Sequence, residues 1–169
     1  MKTMTTRKLV LCALLASAAL IVSYIESLFP LPLPIPGARL GLANAVVLVA
    51  LLTLGKSAAL CVLTVKVCLS ALLFGTPVSL LYACTGGLLA LAVMAILNGR
   101  KQVSPIGQSI AGAVMHNLGQ VLVAMALTAT PRLILYFTPL ALLAILTGAL
   151  SGAAAQYSAR LLRPVLHRK

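Results

Sequence analysis

The stretch SIAGAVMHNLGQVLVA, residues 109–124, decides how the chain is read. Twelve of its sixteen residues are apolar or glycine, and the apolar character runs on over 106–128, long enough for the roughly 20 residues that cross a bilayer core as a helix. Its middle nevertheless carries His116, Asn117 and Gln120. On a helix His116 and Gln120 stand one turn apart on one face, and Asn117 lies about 100° round from His116, so the three form one polar stripe. Buried in hydrocarbon, these groups need partners. Either they bond to neighbouring helices, at about 0.6–2 kcal/mol per contact, or they hold a ligand.

The rest of the chain agrees with the membrane reading. Of its 169 residues 62% are hydrophobic and 8% charged, with a mean hydropathy of +1.13, against roughly 25% charged residues in soluble domains. The apolar segments are 9–28, about 41–55, 57–74, 78–98, 106–128 and 133–162. The expectation is an all-α integral membrane protein, one transmembrane domain over 1–169 with about six helices in a bundle. The opening MKTMTTRKLVLCALLASAA has the outline of a signal peptide, but its apolar run continues through LIVSYIES, which makes it the first span. The second span is short and is joined to the third only by LGKS, which suits a reentrant or tilted segment.

A net charge of +12 would suggest nucleic acid in a soluble protein. Here Lys2, Arg7, Lys8, Lys56, Arg100, Lys101, Arg160, Arg163, Arg168 and Lys169 fall at one set of span ends, and only Arg39 and Arg132 at the other. By the positive-inside rule both termini are cytoplasmic. Topology and anionic lipid account for the charge, and a nucleic-acid partner is not needed.

Inside and beside the spans, ionisable and amide groups are expensive and so become candidate site residues: Glu26, Arg39, Asn44, Lys66, His116, Asn117 and Gln120. Glu26 is the sole acidic residue. Lys66 lies too deep in its span to snorkel easily and competes with Arg39 for that one carboxylate, which leaves a positive site suited to an anion. Tyr24 and Tyr82 can anchor at the interface or stack on a flat ring. The segment PLPLPIPG is expected to be a stiff polyproline-like connection, either a strap over the outer mouth or a spacer. The four cysteines read as small core residues, with no metal-binding spacing. Ala13/Ser17 and Gly148/Gly152 have the small-xxx-small spacing of close helix contacts, within the bundle or with a partner. With no aspartate there is no DDxxD magnesium site, and no GxxxxGK[ST] loop is present. No catalytic residue, metal or cofactor is expected.

Three stretches, SYIESLFPLPLPIPGARLGLANAVVLVALLTLG (23–55), LLFGTPVSLLYACTGGLLALAVM (72–94) and SIAGAVMHNLGQVLVA, closely resemble the small membrane proteins called heptaprenyl diphosphate synthase component I, or the Gx transporter family. The likeness implies a bacterial cytoplasmic membrane location. A six-helix protein of this size without an ATPase also looks like the substrate-binding S component of an energy-coupling-factor (ECF) transporter. That likeness implies capture of an anionic, vitamin-like or isoprenoid-related ligand, a transmembrane coupling subunit and ATPases as partners, and docking through Ala13, Ala16 and Ser17. The alternative is a non-catalytic membrane subunit of a prenyl diphosphate synthase, or of a quinone- or flavin-related electron-transfer assembly.

Overall fold

The computed structural model describes residues 6–29 and 39–167, with side chains as far as 164. Six α-helices follow in order: α1 (Thr6–Leu28), α2 (Asn44–Thr53), α3 (Lys56–Phe74), α4 (Pro77–Leu97), α5 (Pro105–Thr128) and α6 (Phe137–His167), with a 3-10 turn at Pro131–Tyr136 before α6. The proline-rich connection falls outside the described residues.

Helix starts are written locally. At α4 the Thr76 hydroxyl accepts from Ser79 N, the Ser79 hydroxyl accepts from Thr76 N, and Pro77 occupies the first turn, where its missing N–H costs nothing. At α5 the Ser104 hydroxyl accepts from Gly107 N beside Pro105.

Five helices are long and apolar enough to cross a membrane, and the chain is a multi-pass membrane protein. The exception is α2, with ten residues, about 15 Å of helix, or half the hydrocarbon thickness. The expected second span of 41–55 is shortened at both ends, because Gly41 (φ 79°) and Gly55 (φ 96°) take left-handed conformations that end the helical run. The crossing is nonetheless completed. The ring of Tyr24, near the end of α1, meets that of Phe74, the last residue of α3, edge-on at 5.3 Å. Helices α1 and α3 therefore run the same way, and the chain returns between them, its last part being α2. Six passes follow. The end holding Arg7, Lys8, Lys56, Arg100, Lys101, Arg160 and Arg163 is the inner end by the positive-inside rule, and Arg39 and Arg132 mark the outer.

The core is layered along this axis. Around α2 the inner half is apolar: Cys12, Ala16 and Ala19 of α1, Val47, Leu48 and Leu51 of α2, Ala59, Val62 and Leu63 of α3 and Met94 of α4 pack in one cluster. On the other side α4, α5 and α6 approach closely through glycines. A Cβ on Gly119 would come within 2.8 Å of Gly86 Cα, and one on Gly148 within 2.8 Å of Ile110 Cα. The Gly148/Gly152 pair is thus used inside the bundle, against α5. The cysteines need correction: Cys12 is buried, but Cys61 and Cys68 lie on the exposed face of α3 and Cys84 is half-buried. A thiol is apolar enough to face lipid as well as core.

Candidate functional site

The polar residues of the spans gather in the outer half, around the turn at 41–43 from which α2 starts. The carbonyls of 41–43 accept from the first turn of α2, but the amides of 42 and 43 and the backbone of Arg39 must be satisfied by something else. Gln120 of α5 does part of this: its Oε1 accepts from Arg39 N and its Nε2 donates to Arg39 O, both at 3.0 Å. The side-chain amide pairs with the backbone as a neighbouring strand would. Glu26 of α1 does the rest, accepting from Leu42 N at 2.8 Å and Ala43 N at 3.4 Å. The carboxylate caps the start of α2 from another helix and places negative charge at the positive end of its dipole. Gly41 lies against His116, where a Cβ would come within 2.7 Å of the imidazole Cδ2. Its missing side chain and its positive φ are both required.

Asn117 points elsewhere: its Nδ2 donates to Leu140 O of α6 at 3.0 Å. Gln120 thus supports the broken crossing and Asn117 ties α5 to α6.

What remains is less well satisfied. Lys66 is 4% exposed, and its ammonium reaches Asn44 Oδ1 only at 3.5 Å. Glu26 accepts from two backbone amides and at the same time attracts both Lys66 and Arg39, so its one charge is shared between them. Asn44 Nδ2 and His116 Nδ1 are buried without a partner. Gln120 Nε2, which donates to Arg39 O, also lies in hydrogen-bond contact with His116 Nε2. An amide nitrogen can only donate, so in this amide orientation the ring accepts at Nε2, while its Nδ1 side faces the Gly86 backbone.

Glu26, Arg39, Lys66, His116 and Gln120 line one cavity together with Ser23, Ser79 and Tyr82. Asn44 adjoins it through Lys66, and Asn117 does not reach it. The void is about 10 Å³, room for roughly one water molecule. Two cations and the His116 ring thus border a small space whose one carboxylate already accepts from two backbone amides. Such a site suits a small anion or the anionic end of a larger solute.

Two contributors, Ser23 and Ser79, were not singled out from the sequence. Ser23, 2% exposed, stands three residues before Glu26 on the same face, a spacing that marks it once Glu26 is placed inward. Tyr82, 3% exposed, lines the cavity and does not anchor at the interface, whereas Tyr24 is exposed and stacks on Phe74. Arg39 carries its guanidinium 5.5 Å above the same Phe74 ring. The trio expected to dock a partner is divided: Ala13 and Ser17 face outward, while Ala16 is buried in the chain's own core.

A family model described as heptaprenyl diphosphate synthase component I matches residues 15–158, a range that takes in every residue lining this cavity. No curated protein and no solved structure matches the chain.

Proposed function

The chain belongs to the heptaprenyl diphosphate synthase component I family, and from that premise we propose that it is a membrane subunit that captures a small anionic solute from the outer side and hands it to partner subunits. The observation that carries this reading is that Lys66, Arg39 and His116 line one buried space, where the Lys66 ammonium has only a 3.5 Å bond to Asn44 Oδ1. A buried ammonium without a close counter-ion is costly, and an anionic ligand would remove that cost. The small void means that the ligand needs a wall to move. The cheapest wall is the segment 39–41 ahead of α2, where Arg39 is held by the Gln120 side chain and Gly41 by one turn bond to Asn44 N.

An uptake role of the ECF S-component kind would use a coupling subunit and ATPases, because the chain has no nucleotide-binding loop. Ala13 and Ser17, on the outward face of α1, would be their contact. A second reading, an accessory subunit of a prenyl diphosphate synthase, is favoured by the family's description.

The deciding experiment is native mass spectrometry of the purified protein. The wild type should carry a small anionic solute, and Lys66→Met and His116→Ala should each lower its occupancy by about tenfold or more, the worth of one charge-assisted hydrogen bond, while keeping a wild-type gel-filtration profile. In liposomes the protein alone should bind that solute without concentrating it. Copurification of a soluble prenyl synthase, with activity that needs this chain and survives Lys66→Met, would favour the second reading.

A further inference from the structure

A second cavity lies at the opposite end of the bundle and has no part in the outer cluster. It is bounded by Leu52 of α2, Pro105 of α5 and Gln156, Ala159, Arg160 and Arg163 of α6, and its volume is about 180 Å³, far more than the outer void. Helix α6 has 31 residues, about 46 Å of helix against a hydrocarbon core of about 30 Å. Its later turns therefore emerge at the inner interface. There Gln156, Arg160 and Arg163 follow one another at spacings of four and three, which puts them on one side of the helix. Ala159, 3% exposed, packs between them and leaves space where a larger residue would fill it.

Among the described residues the two guanidiniums have no side-chain carboxylate to meet. The chain's one acid, Glu26, is at the outer end, bound to Leu42 and Ala43 amides. Positive charge at this end is expected from topology alone, and exposed loop residues such as Arg100 and Lys101 satisfy that rule without forming a cavity. What sets Arg160 and Arg163 apart is that they border a recess with an amide on the same helix face and apolar Leu52 and Pro105 opposite. Planar guanidiniums match phosphate oxygens two at a time, and the apolar side suits a group held at the lipid boundary.

We propose that this recess between α2, α5 and α6 binds a phosphate group at the inner membrane surface, with Arg160 and Arg163 as its bidentate partners and Gln156 as an additional donor. The phosphate can belong to an anionic lipid headgroup or to a soluble phosphate, and the test separates the two.

The full chain would be purified in neutral detergent as wild type, Arg160→Gln/Arg163→Gln and the charge-matched control Arg100→Gln/Lys101→Gln. One arm counts phosphatidylglycerol retained by native mass spectrometry after delipidation. The other titrates inorganic phosphate and pyrophosphate and follows thermal unfolding. In at least one arm the wild type and the control should bind alike, and the Arg160/Arg163 variant should bind at least about tenfold more weakly. Binding in the lipid arm alone identifies a headgroup, and binding in the soluble arm a free phosphate. Equal losses in the two double variants would reduce the effect to surface charge and overturn the proposal, as would absence of binding to the wild type in both arms.

Discussion

At the residue scale, three polar side chains in one stripe of α5 turn out to have three different tasks. Gln120 completes the backbone of Arg39, Asn117 ties α5 to Leu140, and His116 lines the cavity. Their removal should therefore differ in effect. Gln120→Ala orphans a backbone N–H and a carbonyl at once and should cost about 2–4 kcal/mol of stability. Asn117→Ala gives up one bond to a carbonyl within α6 and also removes the buried, unpartnered Oδ1, so its cost should stay near 1 kcal/mol. Denaturant unfolding in detergent measures both, and equal losses would contradict the division of labour. That the stripe was polar and inward was legible from its spacing. Its partners were not, because Arg39 lies 81 residues from Gln120 and nothing local specifies that contact. The second task of Glu26 was hidden for a similar reason: besides attracting Lys66 and Arg39, it accepts from the amides of Leu42 and Ala43 ahead of a helix that starts in mid-membrane.

At the element scale the five long helices were readable from hydropathy, since a membrane enforces length and apolar composition directly. The broken second crossing was visible only as a short apolar run. A ten-residue helix can begin in the bundle because Glu26 supplies its cap and Gly41 its turn. Close packing of α4, α5 and α6 depends equally on what is missing. Gly119→Ala and Gly148→Ala push a methyl into the backbone of Gly86 and Ile110, where nothing can rotate away, and each should destabilise by about 1–3 kcal/mol. Gly99→Ala is the comparison: a Cβ there meets nothing within 4 Å, and its cost, from φ of 88° alone, should be about 1 kcal/mol. A thermal-shift series that ranked Gly99→Ala as the most damaging would show that the helices do not meet as described.

Over the whole molecule, six passes put both termini on the side rich in lysine and arginine. On a cysteine-free background, Cys at position 101 should react with an impermeant thiol reagent only after the membrane is opened, and Cys at 132 in intact cells. The reverse pattern would invert the protein. The layered interior also bears on how the chain is made. When the ribosome has finished Gly55, the backbone of Arg39 has no partner, because Gln120 has yet to be translated, and a ten-residue helix is too short to act as a stop-transfer sequence. Helices α1, α3 and α4 can pack on α2 before that, but the backbone ahead of it is completed only once α5 has joined the bundle. The last step of the second pass is thus timed by a residue in the last third of the polypeptide.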